Sequence, residues 1–160
     1  MASRTGRPLV ERVVSGGQTG ADRGALDAAI ELGIPCGGWC PRGRRSEGGP
    51  IPDRYPLRET ATAAYPERTE RNVRDADGTL VLKRGPLRGG SALTVALARR
   101  VGRPVLVVDL GDRDAPGGIR AWLEREGIRV VNVAGPRESE APGIHDDVAA
   151  LLRGVLREGV

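Results

Sequence analysis

Residues 12–24 read Arg12-Val13-Val14-Ser15-Gly16-Gly17-Gln18-Thr19-Gly20-Ala21-Asp22-Arg23-Gly24, an apolar strand, a glycine-rich turn and the opening of an amphipathic helix in unbroken succession. Glycines let the main chain turn tightly and approach a ligand, while the free N–H groups and dipole of a helix start favour an anion. A plain tight turn with Thr19 or Asp22 as N-cap uses the same residues. The coincidence of several glycines with the side chains of Gln18 and Thr19 favours ligand binding over that turn. The stretch fits neither G-x-G-x-x-G nor G-x-x-x-x-G-K-[ST], so neither a dinucleotide nor a triphosphate follows from the motif alone.

Outward from this unit the same alternation continues to the end of the chain, which is the pattern of repeated βαβ units. Strands are expected at Arg12–Ser15, Ile34–Trp39, Thr79–Leu82, Pro104–Asp109 and Arg129–Ala134. Helices are expected at Asp22–Leu32, Pro66–Asp75, Ser91–Val101, Gly117–Glu126 and Asp146–Glu158. Gly33 stands where a helix-ending glycine belongs, and Pro66 with Glu67 suits a first helical turn. The expected fold is therefore α/β, a three-layer sandwich around a five-stranded parallel sheet. Right-handed crossovers bring every strand-to-helix loop to one edge. The favoured strand order is 2-1-3-4-5, with the switch point between the first and third strands, and 3-2-1-4-5 is the alternative.

At 160 residues the chain suits a single domain, with residues 1–8 expected as a flexible N-terminus. Residues 40–65, dense in proline and glycine, form a connection too long for a plain linker and are expected to be functional. The core must be aliphatic: there is no Phe, and Trp39, Tyr55, Tyr65 and Trp122 are the aromatics. So few rings argue against stacking on single-stranded nucleic acid. Net charge is +4, yet 25 basic residues intersperse with 21 acidic ones, and Lys83 is the only lysine. Nucleic-acid binding normally clusters its cations, so none is expected. No apolar run approaches a membrane span or a signal peptide, and a cytoplasmic location is expected. Cys36 and Cys40 read as reduced thiols. His145 is the only histidine, so neither a metal cluster nor a Ser-His-Asp set is in view, and no catalytic residue is assigned.

Three further segments fall at the ligand edge of the expected sheet. Gly85-Pro86-Leu87-Arg88-Gly89-Gly90-Ser91-Ala92-Leu93-Thr94 is a second glycine turn feeding a helix, and it should face the first; a structural cap turn explains it equally well. Arg42-Gly43-Arg44-Arg45-Ser46-Glu47 offers Arg44 and Arg45 as guanidinium clamps for an oxyanion, or is a solvated loop. Gly135-Pro136-Arg137-Glu138-Ser139 adds an arginine and a hydroxyl after the last strand, or is a turn in which Ser139 caps the final helix.

Five blocks in order, Ser15 to Asp22, Gly38 to Arg45, Asn72 to Asp75, Arg88 to Thr94 and Asn132 to Ser139, resemble the molybdenum cofactor carrier family across nearly the whole chain. Two positions depart: Gly48 follows Glu47 where the family pattern has an acid, and Ser91 replaces a threonine while keeping the hydroxyl. The resemblance implies a Rossmann-like fold of the LOG-like (SLOG) superfamily and a homo-oligomer, dimer or tetramer. It also implies binding of molybdenum cofactor or molybdate without turnover, and molybdoenzyme acceptors. The expected binding residues are Gly16, Gly17, Gln18, Thr19, Gly20, Asp22, Arg44, Arg45, Gly89, Gly90, Ser91, Thr94, Gly135, Arg137, Glu138 and Ser139. Terminal phosphate would take backbone N–H groups of residues 16–20 or 89–91, and Gln18, Asp22 or Glu138 would meet a pterin edge. Competing readings are a LOG-like nucleotide phosphoribohydrolase and a non-catalytic sensor of a nucleotide derivative. The hydrolase reading is weakened because residues 91–100 hold no acid where LOG relatives carry a glutamate.

Overall fold

The computed structural model describes residues 9–157; the expected flexible segment 1–8 and the expected helix end at Glu158 lie outside them. The first unit is β1 (Arg12–Val14) followed by α1 (Ala21–Leu32), which ends on Gly33 in the left-handed region at φ 72°. The second expected strand is split. Cys36–Gly37 (β2) joins the main sheet, whereas Trp39–Cys40 (β3) pairs in parallel with Arg58–Glu59 (β4) in a separate two-stranded ribbon. The break falls at Gly38, whose φ of +127° is outside strand geometry and whose missing Cβ leaves room for the Ser15 carbonyl oxygen, 2.4 Å from where a Cβ would lie.

Four more helices and three more strands complete the chain. In order they are α2 (Tyr65–Asp75), β5 (Gly78–Lys83), α3 (Gly89–Val101), β6 (Val105–Asp109), α4 (Ala115–Arg125), β7 (Val130–Ala134) and α5 (Ile144–Leu156). Pro66 and Pro116 sit in the first turns of α2 and α4, where the missing N–H costs nothing. Helix α3 begins two residues earlier than expected, at Gly89, whose φ of +56° lies in the left-handed region that favours glycine.

The five-stranded sheet is parallel throughout, in the order β2-β1-β7-β5-β6. Counted by appearance this is 2-1-5-3-4: the last strand, expected at the edge, lies at the centre between the first and third. Counting instead from that central strand turns the same sheet into 3-2-1-4-5, the order held as the alternative. The sheet thus has the Rossmann arrangement with the chain opened after its first strand-and-helix unit. Its switch point lies between β7 and β5, not between β1 and β5.

Helices cover both faces. Leu80 and Leu82 of β5 and Val131 and Val133 of β7 alternate onto the face shared with α1, α4 and α5, where Trp122 and Ile119 complete an aliphatic core. Each such fully buried side chain contributes roughly 1.5–3 kcal/mol relative to exposure. Helices α2 and α3 pack together on the opposite face, burying Val73, Val81, Val95 and Ala98. A smaller cluster of Leu26, Cys40, Ile51, Tyr55 and Leu57 fastens the 40–59 segment onto α1.

Candidate ligand-binding cleft

Crossovers bring the ends of β1, β5 and β7 to one edge, and a cleft of about 220 Å³ opens there between the β7 loop and the start of α3. Its walls come from Gly16, Gln18 and Asp22 of the first loop, Gly89, Gly90, Ser91 and Thr94 of the second, and Gly135 and Arg137 of the fourth. The two glycine turns therefore face one space, although a whole strand, β7, separates the strands that carry them.

The first loop is more a packed corner than an open cradle. Gly17 is turned toward Ile51 and Leu57, and a Cβ on it would lie 2.4 Å from Leu57 Cδ1. Gly20, at φ +83°, abuts the 136–138 turn, where a Cβ would lie 2.5 Å from the Pro136 carbonyl oxygen. The N-cap of α1 is Gly20 itself, with no side-chain cap, so neither Thr19 nor Asp22 takes that role. Ser15 Oγ donates to the Val133 carbonyl at 2.9 Å and ties the end of β1 to β7. Gln18 Oε1 accepts from the N–H groups of Thr19 and Glu47, each at 3.0 Å, which leaves its amide NH2 for the cleft.

Asp22 lies in the first turn of α1, only 6 % exposed. Burial pushes its carboxyl up to about 6, against the opposing pull of the Arg68 guanidinium and the Gln18 N–H. A carboxyl poised in this way can accept hydrogen bonds as an anion or, a pH unit lower, offer a proton. Arg68 of α2 spans the cleft wall, donating from its guanidinium to the Gly16 carbonyl at 2.9 Å. Across from it Arg137 lies near Glu140 (3.4 Å) and Glu47 (3.8 Å). The second loop supplies the start of α3, which has no side-chain cap. Its first amides are thus free to meet an anion.

Seven expected residues fall outside the cleft lining. Besides Gly17 and Gly20, Thr19 gives its hydroxyl to Glu47 and accepts from the Glu138 N–H. Arg44 and Arg45 are engaged by other parts of the chain. The Arg44 guanidinium donates four hydrogen bonds, to the carbonyls of Ile51, Pro52, Tyr55 and Leu57 at 2.8–3.2 Å, holding the 40–59 segment in shape. Arg45 lies over the Tyr65 ring, 4.6 Å from its centroid, and donates to the Ala63 carbonyl. Glu138 accepts from the N–H groups of Gly143 and His145 at 2.6 and 3.1 Å, so it, and not Ser139, caps the last helix. Ser139 instead donates to Glu47 at 2.6 Å. Glu47 thereby joins three loops, and the hydroxyls of Ser139 and Thr19 hold its carboxyl below the usual range.

Sequence reasoning missed Arg68, Tyr65, Thr69, Asn132 and Glu140, all in the cleft wall. Tyr65, Thr69 and Asn72 are spaced as one helical face, with Arg68 beside them. Asn132 interrupts the apolar run of β7 and stays buried, its amide 3.3 Å from the Thr79 hydroxyl. A buried polar residue in an apolar strand is itself a signal.

Fold and cleft together define a Rossmann-like α/β protein whose circular order has been shifted by one strand-and-helix unit. The chain belongs to the circularly permutated YpsA SLOG family, whose model matches residues 13–156. Among solved structures, the crystal structure of a protein from Syntrophus aciditrophicus SB, named putative molybdenum carrier protein, is 47 % identical to this chain. The match covers 93 % of this chain and 96 % of that one, with a TM-score of 0.91. No curated protein matches the chain. No described helix is long and apolar enough to cross a membrane.

Proposed function

We propose that the cleft holds a molybdenum-cofactor-type cargo, a phosphorylated pterin or molybdate itself, and that the protein carries or stores this cargo without turning it over. In this reading the oxyanion end sits against the amides of Gly89, Gly90 and Ser91, between the guanidiniums of Arg68 and Arg137. Gln18, Asp22 and Asn132 meet the polar edge of the ring. The observation that carries the reading is the uncapped start of α3 opening into a cleft that also holds two arginines and a buried carboxyl. The name of the Syntrophus protein points the same way. Pockets that enclose a drug-sized ligand run to roughly 300–1,000 Å³. A cleft of about 220 Å³ therefore leaves part of such a cargo outside, as transfer to an acceptor requires. A single-domain, homo-oligomeric, cytoplasmic protein serving molybdoenzymes completes the proposal.

Anaerobic purification followed by oxidation and pterin fluorescence tests it. Wild-type protein should retain pterin above an Arg68→Ala control; equal signals from both reject the carrier reading. The poised carboxyl of Asp22 favours a second reading, an N-glycosidic hydrolase acting on nucleoside monophosphates, in which that carboxyl protonates the departing base. Release of free base that is lost in Asp22→Asn would select it.

A further inference from the structure

The cleft does not end at α3. Beside the start of α3 a second cavity of about 210 Å³ is lined by Lys83, Arg84, Arg88, Pro136 and Glu140 among others. Ser91 and Glu140 line both cavities, so the two adjoin across the first turn of a thirteen-residue helix. Three cations stand in the second wall. Lys83 Nζ donates to the Gly85 carbonyl at 2.8 Å and lies 3.3 Å from Asp109. Arg84 is engaged by the Pro142 carbonyl and Asp147. Arg88 is exposed and makes no ion pair or side-chain hydrogen bond among the described residues. Glu140, the one carboxylate in that lining, is occupied by the Arg137 N–H at 3.1 Å and by its guanidinium.

Ser91 connects these features. It is only 6 % exposed, yet its hydroxyl has no hydrogen-bond partner among the described residues. No fully enclosed side-chain oxygen or nitrogen lacks a partner there, so this hydroxyl is reached from the cavities it lines. A nearly buried hydroxyl left unsatisfied is costly unless something from outside completes it. A single phosphoryl group engages one cavity and leaves Arg88, the one of the three cations with no ion pair among the described residues, without a counter-charge.

We propose that the bound molecule carries a diphosphate, with one phosphoryl group between Arg68 and Arg137, the other beside Arg88 and Lys83, and Ser91 Oγ donating to the oxygens between them. The inference deepens the carrier reading and rests on it for the ring alone; the diphosphate subsite stands or falls separately.

Calorimetric titration of the full chain with inorganic phosphate, pyrophosphate, GMP and GDP tests this, using Arg88→Gln and Ser91→Ala beside the wild type. Pyrophosphate should bind roughly tenfold tighter than phosphate, and GDP roughly tenfold tighter than GMP, as expected for added charge-assisted bonds. Arg88→Gln should shrink both preferences to about threefold or less. Equal affinities for the mono- and diphosphates, or equal weakening of both by Arg88→Gln, would overturn the proposal. If pyrophosphate is preferred but neither nucleotide binds, the diphosphate subsite stands and guanine is excluded as its ring. If none of the four binds, the diphosphate subsite fails, and pterin retention decides the carrier reading separately.

Discussion

The main-chain N–H of Gln18 donates to Oδ2 of Asp22 at 3.2 Å, closing the glycine turn over a carboxyl that burial has pushed up to about 6. A carboxyl raised above its unfolded value of 3.8 contributes its full stability below about pH 4 and loses it as pH rises through 6. At neutral pH the buried charge then costs up to roughly 3 kcal/mol, taking about 1.4 kcal/mol per pKa unit. Asp22→Asn keeps an acceptor for the Gln18 N–H and removes the charge. Urea unfolding should show the variant more stable at pH 7.5 by roughly 1–3 kcal/mol, with the gain vanishing near pH 4. An equal effect at both pH values would contradict this account of the carboxyl.

Arg44 acts as the internal brace of the 40–59 segment, and its backbone lies in the left-handed region at φ 54°. Arg44→Ala leaves four carbonyls without their donor and should destabilise the protein by roughly 2–4 kcal/mol. Limited proteolysis should then cut first within residues 44–57. Arg44→Lys should rescue little, because a point charge cannot reach four divergent carbonyls. Wild-type proteolysis rates in both variants would refute the brace.

Gly20 packs against main chain on both sides of the Arg137 peptide. Gly20→Ala combines a positive φ with a Cβ that would lie 2.5 Å from the Pro136 carbonyl oxygen and 2.6 Å from the Glu138 nitrogen. Neither neighbour is a flexible side chain. A loss of about 3 kcal/mol or more is expected in chemical denaturation, whereas Gly33→Ala, with open space around its Cβ, should lose far less. Equal losses at the two positions would show that the close approach at Gly20 does not matter.

Much of the architecture was legible because apolar runs and helical periodicity are local. Every main-sheet strand and every helix falls where the pattern put it, within a few residues, apart from the split at Gly38. The position of β7 was not legible: pairing order is a property of crossovers, and nothing in Val130–Ala134 states which strands it will lie between. Both glycine-rich turns line the cleft. Their individual residues were harder to assign, since a glycine required for close packing, such as Gly17 or Gly20, looks the same as one beside a ligand. Arg44 and Arg45 were hard to assign for a related reason. Guanidinium groups satisfy backbone carbonyls as readily as oxyanions, and the choice depends on how the following loop folds back. Arg68 went unnoticed because its helix reads as an ordinary charged surface until α2 is set against α3.

In the proposed carrier the uncapped start of α3 and the arginines facing it hold an oxyanion. Anomalous diffraction from crystals soaked in tungstate tests it most directly, since tungstate stands in for both molybdate and a terminal phosphate. A tungsten peak is expected within hydrogen-bonding reach of the Gly90 and Ser91 amides and of the Arg68 or Arg137 guanidinium. A cleft empty of tungsten, with the peaks lying instead along the 40–59 loop or elsewhere on the surface, would contradict it.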